Sequence, residues 1–511
     1  MTSESANLKL LIEKGSIAMY HSQLSGRAVT LPLLLAIVAG VLSGCWKYDD
    51  LFCERNSDCA GVADRSYCDT EARFEGADGV RKTCIEAPRP ICDSAADCTD
   101  PSLPLCVKGL CSGCDEQGAG CSAKAPVCDV AVNSCGGCQA DVDCAGFIGM
   151  PFCDAASHSC RGCKAHSECA SGVCDIEANM CVDPSHVLYV DASVMTSGEK
   201  CTRDSPCKTI REGVNFISRD QKWILVRPGL YAEQVTIQQG DVAIVAPGVT
   251  WTRGPQGSCL IVKGGARVRL EGATLREALS SAIECSATTG ADAPSVDLVG
   301  VSIEDNSEVG LRASFCRIKI DRSKIIGNQD GGVDLTACLY EIRNSFVIRN
   351  RGRRSPIFVL RAPDESFFGS QLPIIEFNTI AYNTVYSMPG SELRPGGIWC
   401  EQVTVPVQFS NNIIYNNIDN DYSSQEEVQI SGGNCGHVYS VIGPKLVAGL
   451  GNVNTPPEFT LTSPKDVHLS PDSVGVNAAD PNASLDIDID GDVRPQDGRR
   501  DVGADEVVPV P

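Results

Sequence analysis

The residues best suited to chemistry lie near the C-terminus, in the sequence DIDIDGD at 486–492. Aspartates at alternate positions before a glycine can turn their carboxylates toward one cation, as calcium loops do. We therefore predict that no cofactor is required, with Ca²⁺ as the candidate ion for stabilising a C-terminal cap. The alternative without metal is a set of hydrogen bonds from Arg494 to these carboxylates. The candidate metal ligands are Asp486, Asp488, Asp490, Asp492 and Asp497.

A second candidate site combines arginines with aromatic residues. The sequence RNRGRR at 349–354 concentrates cations on a chain whose net charge is −22. Guanidinium groups bind carboxylate and sulfate groups, and aromatic rings are suitable platforms for sugars. The alternatives are a solvated turn for the arginines and loop packing for the rings. The candidate ligand-binding residues are Arg349, Arg351, Arg353, Arg354, Phe367, Phe368 and Trp399.

The cysteines indicate an oxidising compartment. Of the 29 cysteines, 20 lie between Cys53 and Cys181, in five abutting units of four. Zinc is the competing interpretation, but other cysteines interrupt the CxxC pairs and the unit sequences contain few histidines. Units this short cannot bury a core, so we predict disulfides in its place. Three connectivities are possible within a unit, and the sequence does not choose among them.

The N-terminus has the features of an export signal. The apolar run at 28–42 is too short to span a bilayer but suits a signal peptide. It ends in Leu42-Ser43-Gly44-Cys45, which resembles the lipobox of bacterial lipoproteins. The resemblance implies cleavage before Cys45 and lipid on that cysteine, at the outer membrane or cell surface of a Gram-negative bacterium. The residues before Met19 are polar and acidic, so we predict that translation begins at Met19.

A short apolar hexamer ending in Asn recurs in the C-terminal half. VSIEDN, SKIIGN, SFVIRN, NTIAYN and NNIIYN begin at 301, 323, 345, 378 and 411, at intervals of 22, 22, 33 and 33. Strict register predicts a solenoid, in which equivalent residues stack one coil apart, about 4.8 Å. The predicted inward stack is Ile303, Ile325, Val347, Ile380 and Ile413. The predicted stack of amides at a bend is Asn306, Asn328, Asn350, Asn383 and Asn416.

Other residue types keep the same phase. Gly310 and Gly332 are 22 residues apart, and so are Cys316 and Cys338. Cys316 and Cys338 should therefore be neighbours on successive coils, whether bridged or as buried thiols. The two intervals of 33 predict insertions near 361–371 and 386–395, which should leave the coil at different corners.

At this point the chain resembles the right-handed parallel β-helix of the pectate-lyase superfamily, over about 186–508. The opening YVDAS…SPCKTIREGVNF and the ending DIDIDGDVRPQDGRRDVGADE are similar to bacterial surface proteins of the choice-of-anchor Q type. The cysteine units are similar to Dickkopf-like repeats. The resemblance implies a helix at 209–220 that caps the first coil, with a local disulfide between Cys201 and Cys207.

The resulting fold class is all-β: a right-handed parallel β-helix of about 22 residues per coil, preceded by a disulfide-rich repeat region. The predicted domains are a lipoprotein signal peptide at 1–44, a cysteine-rich stalk at 45–185 and the β-helix with its Asp-rich cap at 186–511.

The sequence favours a surface binding or structural module over an enzyme. A polysaccharide lyase or glycoside hydrolase acting on acidic glycans is the alternative, and it needs paired carboxylates or a carboxylate cluster with a basic residue. Of the tripeptides typical of related hydrolases, only Arg317-Ile318-Lys319 occurs, and outward charges alternating along a strand explain it. The catalytic residues are unknown. The predicted partners are the membrane, through the lipid, and a polysaccharide; the acidic balance argues against nucleic acid.

We expect Cys45→Ala to abolish incorporation of a labelled fatty acid when the protein is expressed in a Gram-negative host, because the lipid is attached through that thiol. A chain that begins at Met19 should keep the label. Labelled Cys45→Ala protein would contradict the predicted anchor, and an unlabelled chain from Met19 would contradict the predicted start.

Overall fold

The computed structural model describes residues 52–508, except 63–64, 71–81, 88, 116–118, 130–133, 254–256, 288–292, 362–367, 388–393, 405, 421–424, 427 and 461. The predicted signal peptide and Cys45 lie outside the described residues. The chain divides into two compact units, 1–137 and 138–511, so the last two cysteine units belong with the β-helix. Among the described residues, no helix has the length and apolarity needed to cross a membrane.

Each cysteine unit is a β-hairpin held by two disulfides, which join the first cysteine to the third and the second to the fourth. The five-fold repetition of this connectivity settles the choice that the sequence left open. The hairpins are Tyr67–Asp69 with Thr83–Ile85, Leu105–Val107 with Leu110–Ser112, Val127–Asp129 with Ser134–Gly136, Phe152–Asp154 with Ser159–Arg161, and Cys174–Asp175 with Met180–Cys181. The bonds are Cys53–Cys68, Cys59–Cys84, Cys92–Cys106, Cys98–Cys111, Cys114–Cys128, Cys121–Cys135, Cys138–Cys153, Cys144–Cys160, Cys163–Cys174 and Cys169–Cys181.

An acidic residue before the second cysteine caps a short 3-10 turn in four of the described units. One of these four is the last unit of the chain, in which Glu168 accepts hydrogen bonds from the backbone N–H groups of Lys164 and Ala165. Its ion pair with Arg161, reinforced by those N–H groups, lowers the pKa of Glu168 to about 2. The capped turns are Asn56–Cys59, Ala95–Asp97, Asp141–Cys144 and His166–Glu168; a further 3-10 turn, Pro184–His186, leads into the β-helix.

The C-terminal region is a parallel β-helix built from three sheets, in which each strand pairs with its counterpart one coil later. This confirms the predicted all-β fold class. Sheet I contains the strands Val187–Val190, Trp223–Val226, Asp241–Val245, Arg267–Glu271, Ser295–Val299, Arg317–Asp321, Leu339–Arg343, Ile374–Glu376, Val407–Ser410 and Cys435–Val438.

The other two sheets complete each coil. Sheet II contains Gly229–Ala232, Val249–Thr252, Thr274–Arg276, Ser302–Glu304, Lys324–Ile326, Phe346–Ile348, Thr379–Ala381, Ile413–Tyr415 and Val441–Ile442. Sheet III contains Val235–Ile237, Leu260–Lys263, Ile283–Ser286, Leu311–Ser314, Val333–Thr336, Ile357–Leu360, Ile398–Glu401 and Ile430–Ser431. A short fourth sheet widens the last coils with Arg351–Gly352, Thr384–Val385, Ile418–Asn420 and the antiparallel Gln425–Glu426.

The Asn ladder connects successive coils at the bend after sheet II. Asn306 donates from both its backbone N and its Nδ2 to Asn328 Oδ1, at 3.2 and 2.8 Å. Asn328 donates in the same way to Asn350, and Asn350 to Asn383. These side chains are at most 1% exposed, so the ladder satisfies backbone N–H groups that water cannot reach.

The last hexamer was placed one residue too early in the sequence. The ladder continues from Asn383 to Asn417, not Asn416, and Ile380 pairs with Ile414, not Ile413. The last interval is therefore 34 residues. Asn416 occupies the position just before the ladder, where the backbone has positive φ. Because Asn adopts that conformation readily, two consecutive Asn residues occur here, and the sequence alone does not show which one belongs to the ladder.

A second ladder begins each hexamer and was not predicted. Val301 N donates to Ser323 Oγ, Ser323 N to Ser345 Oγ, and Ser345 N to Asn378 Oδ1. Close contact of the coils also explains the phased glycines: a Cβ on Gly332 would lie 2.6 Å from the carbonyl oxygen of Pro356. Small residues are therefore required where one coil lies directly on the next.

One end and one side of the coil stack are covered. Helix Ile210–Asn215, shorter than the predicted 209–220, is capped by Thr209 and Glu212, whose side chains each accept from the other's backbone N–H. A disulfide joins Cys201 to Cys207 beside it. The C-terminal segment, residues 456–507, covers the outer face of the later strands of sheet II. Apolar residues shared by that contact are Ile326, Phe346, Ile348, Ala381, Val467, Ile489 and Ala504.

The cysteines of the β-helix pair only in part. Disulfides join Cys285 to Cys316 and Cys400 to Cys435. Cys338 neighbours Cys316 as predicted, accepts a hydrogen bond from its backbone N, and remains a thiol whose pKa burial raises to about 12. These cysteines therefore behave as core residues.

We expect Asn350→Ala to lower the free energy of unfolding by roughly 3 kcal/mol, because the buried N–H groups of Asn328 lose their acceptor. Urea unfolding measures the change. Asn482→Ala is the control, since Asn482 is exposed and bonds only to Asp480; it should change the value by less than about 0.5 kcal/mol. Equal effects in the two variants would contradict a structural role for the ladder.

Candidate functional site

A groove runs along the outer face of sheet I. It consists of two adjoining depressions of about 300 and 410 Å³ that share Ser295 and Asp297. Because side chains alternate along a strand, each strand of the sheet contributes its outward residues to this surface. The charged lining residues are Asp175, Glu177, Lys222, Asp241, Arg267, Arg269, Asp297, Arg317, Lys319 and Glu341.

The floor of the groove is a ladder of alternating charge. Arg269, Asp297, Lys319 and Glu341 occupy the same register position on four successive strands. Neighbouring rungs of a parallel sheet are about 4.8 Å apart, so each charge lies beside its opposite. Lys319 and Arg317 point outward while Ile318 between them is 2% exposed, which agrees with the predicted alternation.

Arg269 is the most constrained cation of the groove. Its Nε lies 2.6 Å from Glu271 Oε1, and its Nη1 lies 2.8 Å from Asp297 Oδ2 and 2.7 Å from Glu177 Oε1. Glu271 is itself held by His166 Nε2 at 3.0 Å. The guanidinium group is therefore anchored from behind by the buried Glu271 and approached from the open side by Glu177, whose side chain is 74% exposed.

Asp297 is a carboxylate with spare hydrogen-bonding capacity. Its Oδ1 is buried and accepts no hydrogen bond from the described residues. Burial raises the pKa of Asp297 above its ordinary value, against the opposing effects of Arg269 and Lys319.

The two ends of the groove come from different parts of the chain. Asp175 and Glu177 of the fifth cysteine unit border one end, and Gln371 and Leu372 border the other. Arg317 Nη1 donates to Gln371 Oε1 at 2.9 Å, which ties that border to the sheet. The sequence shows charged residues at alternate positions of these strands, which predicts a charged outer face. It does not show which outer face of the coil remains uncovered.

The predicted arginine and aromatic site is divided by the structure. Arg349 donates to the carbonyl oxygen of Pro464 and lies over the ring of Tyr382, at the C-terminal segment. Phe368 is 4% exposed and lies at a different corner, under Arg317. Phe367 lies outside the described residues. The two predicted insertions do leave the coil at different corners, one between sheets III and I and one before sheet III.

The predicted residues Arg353, Arg354 and Trp399 lie close together at sheet III. The rings of Trp399 and of its neighbour Phe358 are already covered there. Arg354 pairs with Asp334 at 2.6 Å and lies over Phe358, which contacts Trp399. Arg394 lies over the ring of Trp399 and donates to the carbonyl oxygen of Arg353. The chain's own arginines therefore stack on both rings. Arg351 and Arg353 are exposed beside them.

Four of the predicted calcium ligands have hydrogen-bond or ion-pair partners within the cap. Asp488 is fully buried, and its two oxygens accept from the backbone N–H groups of Asp490, Asp492 and Glu506. Asp486 pairs with Arg500, Asp490 with His468, and Asp497 accepts from Asn477. Arg494, the predicted alternative partner, instead binds Glu506 and the carbonyl oxygens of Asp501 and Gly503. These carboxylates thus act as hydrogen-bond partners within the cap, and the calcium site stays a prediction.

His468 forms ion pairs with two aspartates, which the sequence did not predict. Its Nδ1 lies 2.5 Å from Asp466 Oδ1 and its Nε2 lies 2.7 Å from Asp490 Oδ2. The hydrogen bond with Asp490, helped by the one with Asp466, raises the pKa of His468 to about 9 in spite of its partial burial. Its ring meets the edge of Phe346 on sheet II, so the imidazolium fastens the C-terminal segment to the coil stack.

Comparisons with known proteins assign no family to this chain. No family model matches it, and no curated protein matches it. It is similar to the crystal structure of the pectate lyase Pel9A, with 13% sequence identity, coverage of 63% of this chain and 96% of that chain, and a TM-score of 0.33. The fold described above rests on the strand pairing of the chain itself.

We expect the stability of the C-terminal segment to fall as pH rises from about 6.5 to about 9, because His468 binds a proton more tightly in the folded state than in the unfolded one. The contribution is fully present below the unfolded pKa and is lost above the folded one. Thermal unfolding of wild type and His468→Gln at about pH 6 and pH 10 measures it. The two proteins should differ at the lower pH and converge at the higher; a constant difference would contradict the mechanism.

Proposed function

We propose that this protein is a surface-anchored glycan-binding module that holds an extended polysaccharide in the groove of sheet I. The observation that carries the proposal is the groove itself, which crosses seven successive strands of the sheet from Trp223 to Ile374. Because the strands run across the coil axis, a polymer laid in the groove meets a new rung of side chains about every 4.8 Å.

The chemistry of the lining suits hydroxyl-rich ligands. Arginine and lysine donate several hydrogen bonds, carboxylates accept them, and the exposed apolar surface of Leu372 offers contact for a sugar face. Lys319 is exposed in the middle of the groove, beside Asp297 on the neighbouring rung. Grooves on the side of a solenoid are the usual binding surfaces of repeat proteins.

The anchoring part of the proposal is supported by the sequence LSGC at 42–45. Lipid at Cys45 would attach the chain to the outer membrane or cell surface, and the cysteine units would separate the β-helix from the lipid. More than one acyl chain is needed for stable attachment, and a lipoprotein N-terminus carries that number.

An enzymatic function is the second candidate, and Asp297 is the residue that favours it. A carboxyl group with a raised pKa beside an exposed lysine can act with it as an acid and base pair. In that case Asp297 and Lys319 would carry the reaction of a polysaccharide lyase or hydrolase.

We expect Lys319→Ala to weaken binding of a polysaccharide roughly tenfold, because the central donors of the groove are lost. Isothermal titration of the full chain against neutral and acidic polysaccharides measures the change. Lys263→Ala, an exposed lysine of sheet III, is the matched control and should bind like wild type. Equal affinities for all three proteins would contradict the proposed groove.

The same samples distinguish binding from turnover. Chain shortening, measured by size-exclusion chromatography, should not occur over hours. Shortening that is lost in Asp297→Asn would replace the binding function with the enzymatic one.

A further inference from the structure

Glu177 occupies a position in the groove that a ligand group could take. It lies in the hairpin loop of the fifth cysteine unit, between Cys174–Asp175 and Met180–Cys181, and is tied down by the disulfides of that unit. Its carboxylate reaches the floor of the neighbouring sheet, 2.7 Å from Arg269 Nη1. The side chain is 74% exposed, so it reaches across open groove and not through packed protein.

Arg269 is the anion-binding group of the groove, and Glu177 contacts it. Its orientation is fixed by Glu271 and Asp297, and its own side chain is 19% exposed. Glu177 contacts Nη1 of this group, and no described residue accepts a hydrogen bond from Nη2, so the fork formed by Nη1 and Nη2 is occupied at Nη1 alone. This fork is the geometry that binds a planar carboxylate with two hydrogen bonds.

Two other cations of the groove also lie beside carboxylates of the chain. Arg267 Nη1 lies 3.8 Å from Asp241 Oδ1, and Lys319 lies between Asp297 and Glu341 on adjacent rungs. Five cations and five carboxylates line the two depressions, on a chain of net charge −22. A polyanion would therefore meet carboxylates beside Arg267, Arg269 and Lys319, together with the repulsion of the whole chain.

We propose that Glu177 is a specificity-determining residue, which occupies the Nη1 side of the Arg269 fork and so makes the groove selective for uncharged polysaccharides over carboxylated ones. The inference rests on the proposed function, since it assigns the class of glycan to the same groove. Selectivity here comes from an occupied anion site as much as from attractive contacts. Because Glu177 is 74% exposed, its ion pair with Arg269 contributes little to stability, and its removal should alter binding and not folding.

The test measures the affinities of the full chain for a polyuronate and for the same polymer after chemical reduction of its carboxyl groups. Glu177→Gln should raise the ratio of polyuronate to reduced-polymer affinity roughly tenfold, because the free fork now accepts a ligand carboxylate. Glu277→Gln is the matched control. Glu277 is an exposed acid paired with Arg276 at 2.8 Å, so its loss changes the net charge equally without opening the groove. Its ratio should rise less than about twofold.

A second variant keeps the charge and removes the fork. In the double variant Glu177→Gln with Arg269→Lys, the gain should disappear, because an ammonium group cannot bind a carboxylate through two parallel N–H groups. Circular dichroism verifies that each variant is folded. The expected pattern is a gain in Glu177→Gln alone.

Two results overturn the inference and spare the proposed function. They are equal ratios for Glu177→Gln and Glu277→Gln, and a wild-type chain that binds the polyuronate more tightly than the reduced polymer. Failure of every variant to bind either polymer overturns the proposed function, and this inference with it.

Discussion

The constraint on which the structure depends is the vertical hydrogen bond between equivalent residues of successive coils. At the bend after sheet II, the backbone N–H turns inward, where no neighbouring strand can accept it. An Asn from the next coil supplies the acceptor, as Asn328 does for Asn306, and its Nδ2 donates in turn to Asn350. Because an unpaired buried N–H is costly, each coil stays in register with the next. Chain length between coils can vary from 22 to 34 residues without breaking the ladder.

Because the coils stay in register, a pattern repeated along the sequence becomes rows of residues on the core and on the outer surface. Residues of one phase form a row along the coil axis, whether they face the core or the solvent. The inward rows pack as a continuous apolar core, and the outward row of sheet I becomes the charge ladder from Arg269 to Glu341. Opposite charges on adjacent rungs attract one another and balance, so this surface is locally neutral on an acidic protein. The groove is therefore a consequence of the coil geometry as much as of individual residues.

What covers each face decides which surface can bind. The C-terminal segment covers the later strands of sheet II, where the ring of His468 packs against Phe346, so those strands are buried on both sides. The fifth cysteine unit covers the first coils of sheet I, through Val173 packed beside Tyr189 and Trp223. On sheet III, Arg354 and Arg394 cover the rings of Phe358 and Trp399. The middle of sheet I stays open, and Glu177 reaches into it from the cysteine unit.

The sequence by itself determined the repetition: five cysteine units, a β-helix with phased Asn and Gly, and outward charges at Arg317 and Lys319. These follow from spacing, because stacked coils and disulfide units are local patterns repeated along the chain. It did not determine the disulfide connectivity, the partners of His468 or the shift from Asn416 to Asn417. Those depend on residues that are distant in sequence, such as Asp490 for His468 and Glu177 for Arg269, or on insertions whose length hides the register. Only the tertiary structure decided which outer face is covered and which is open, because covering segments are chosen by their packing and not by the repeat.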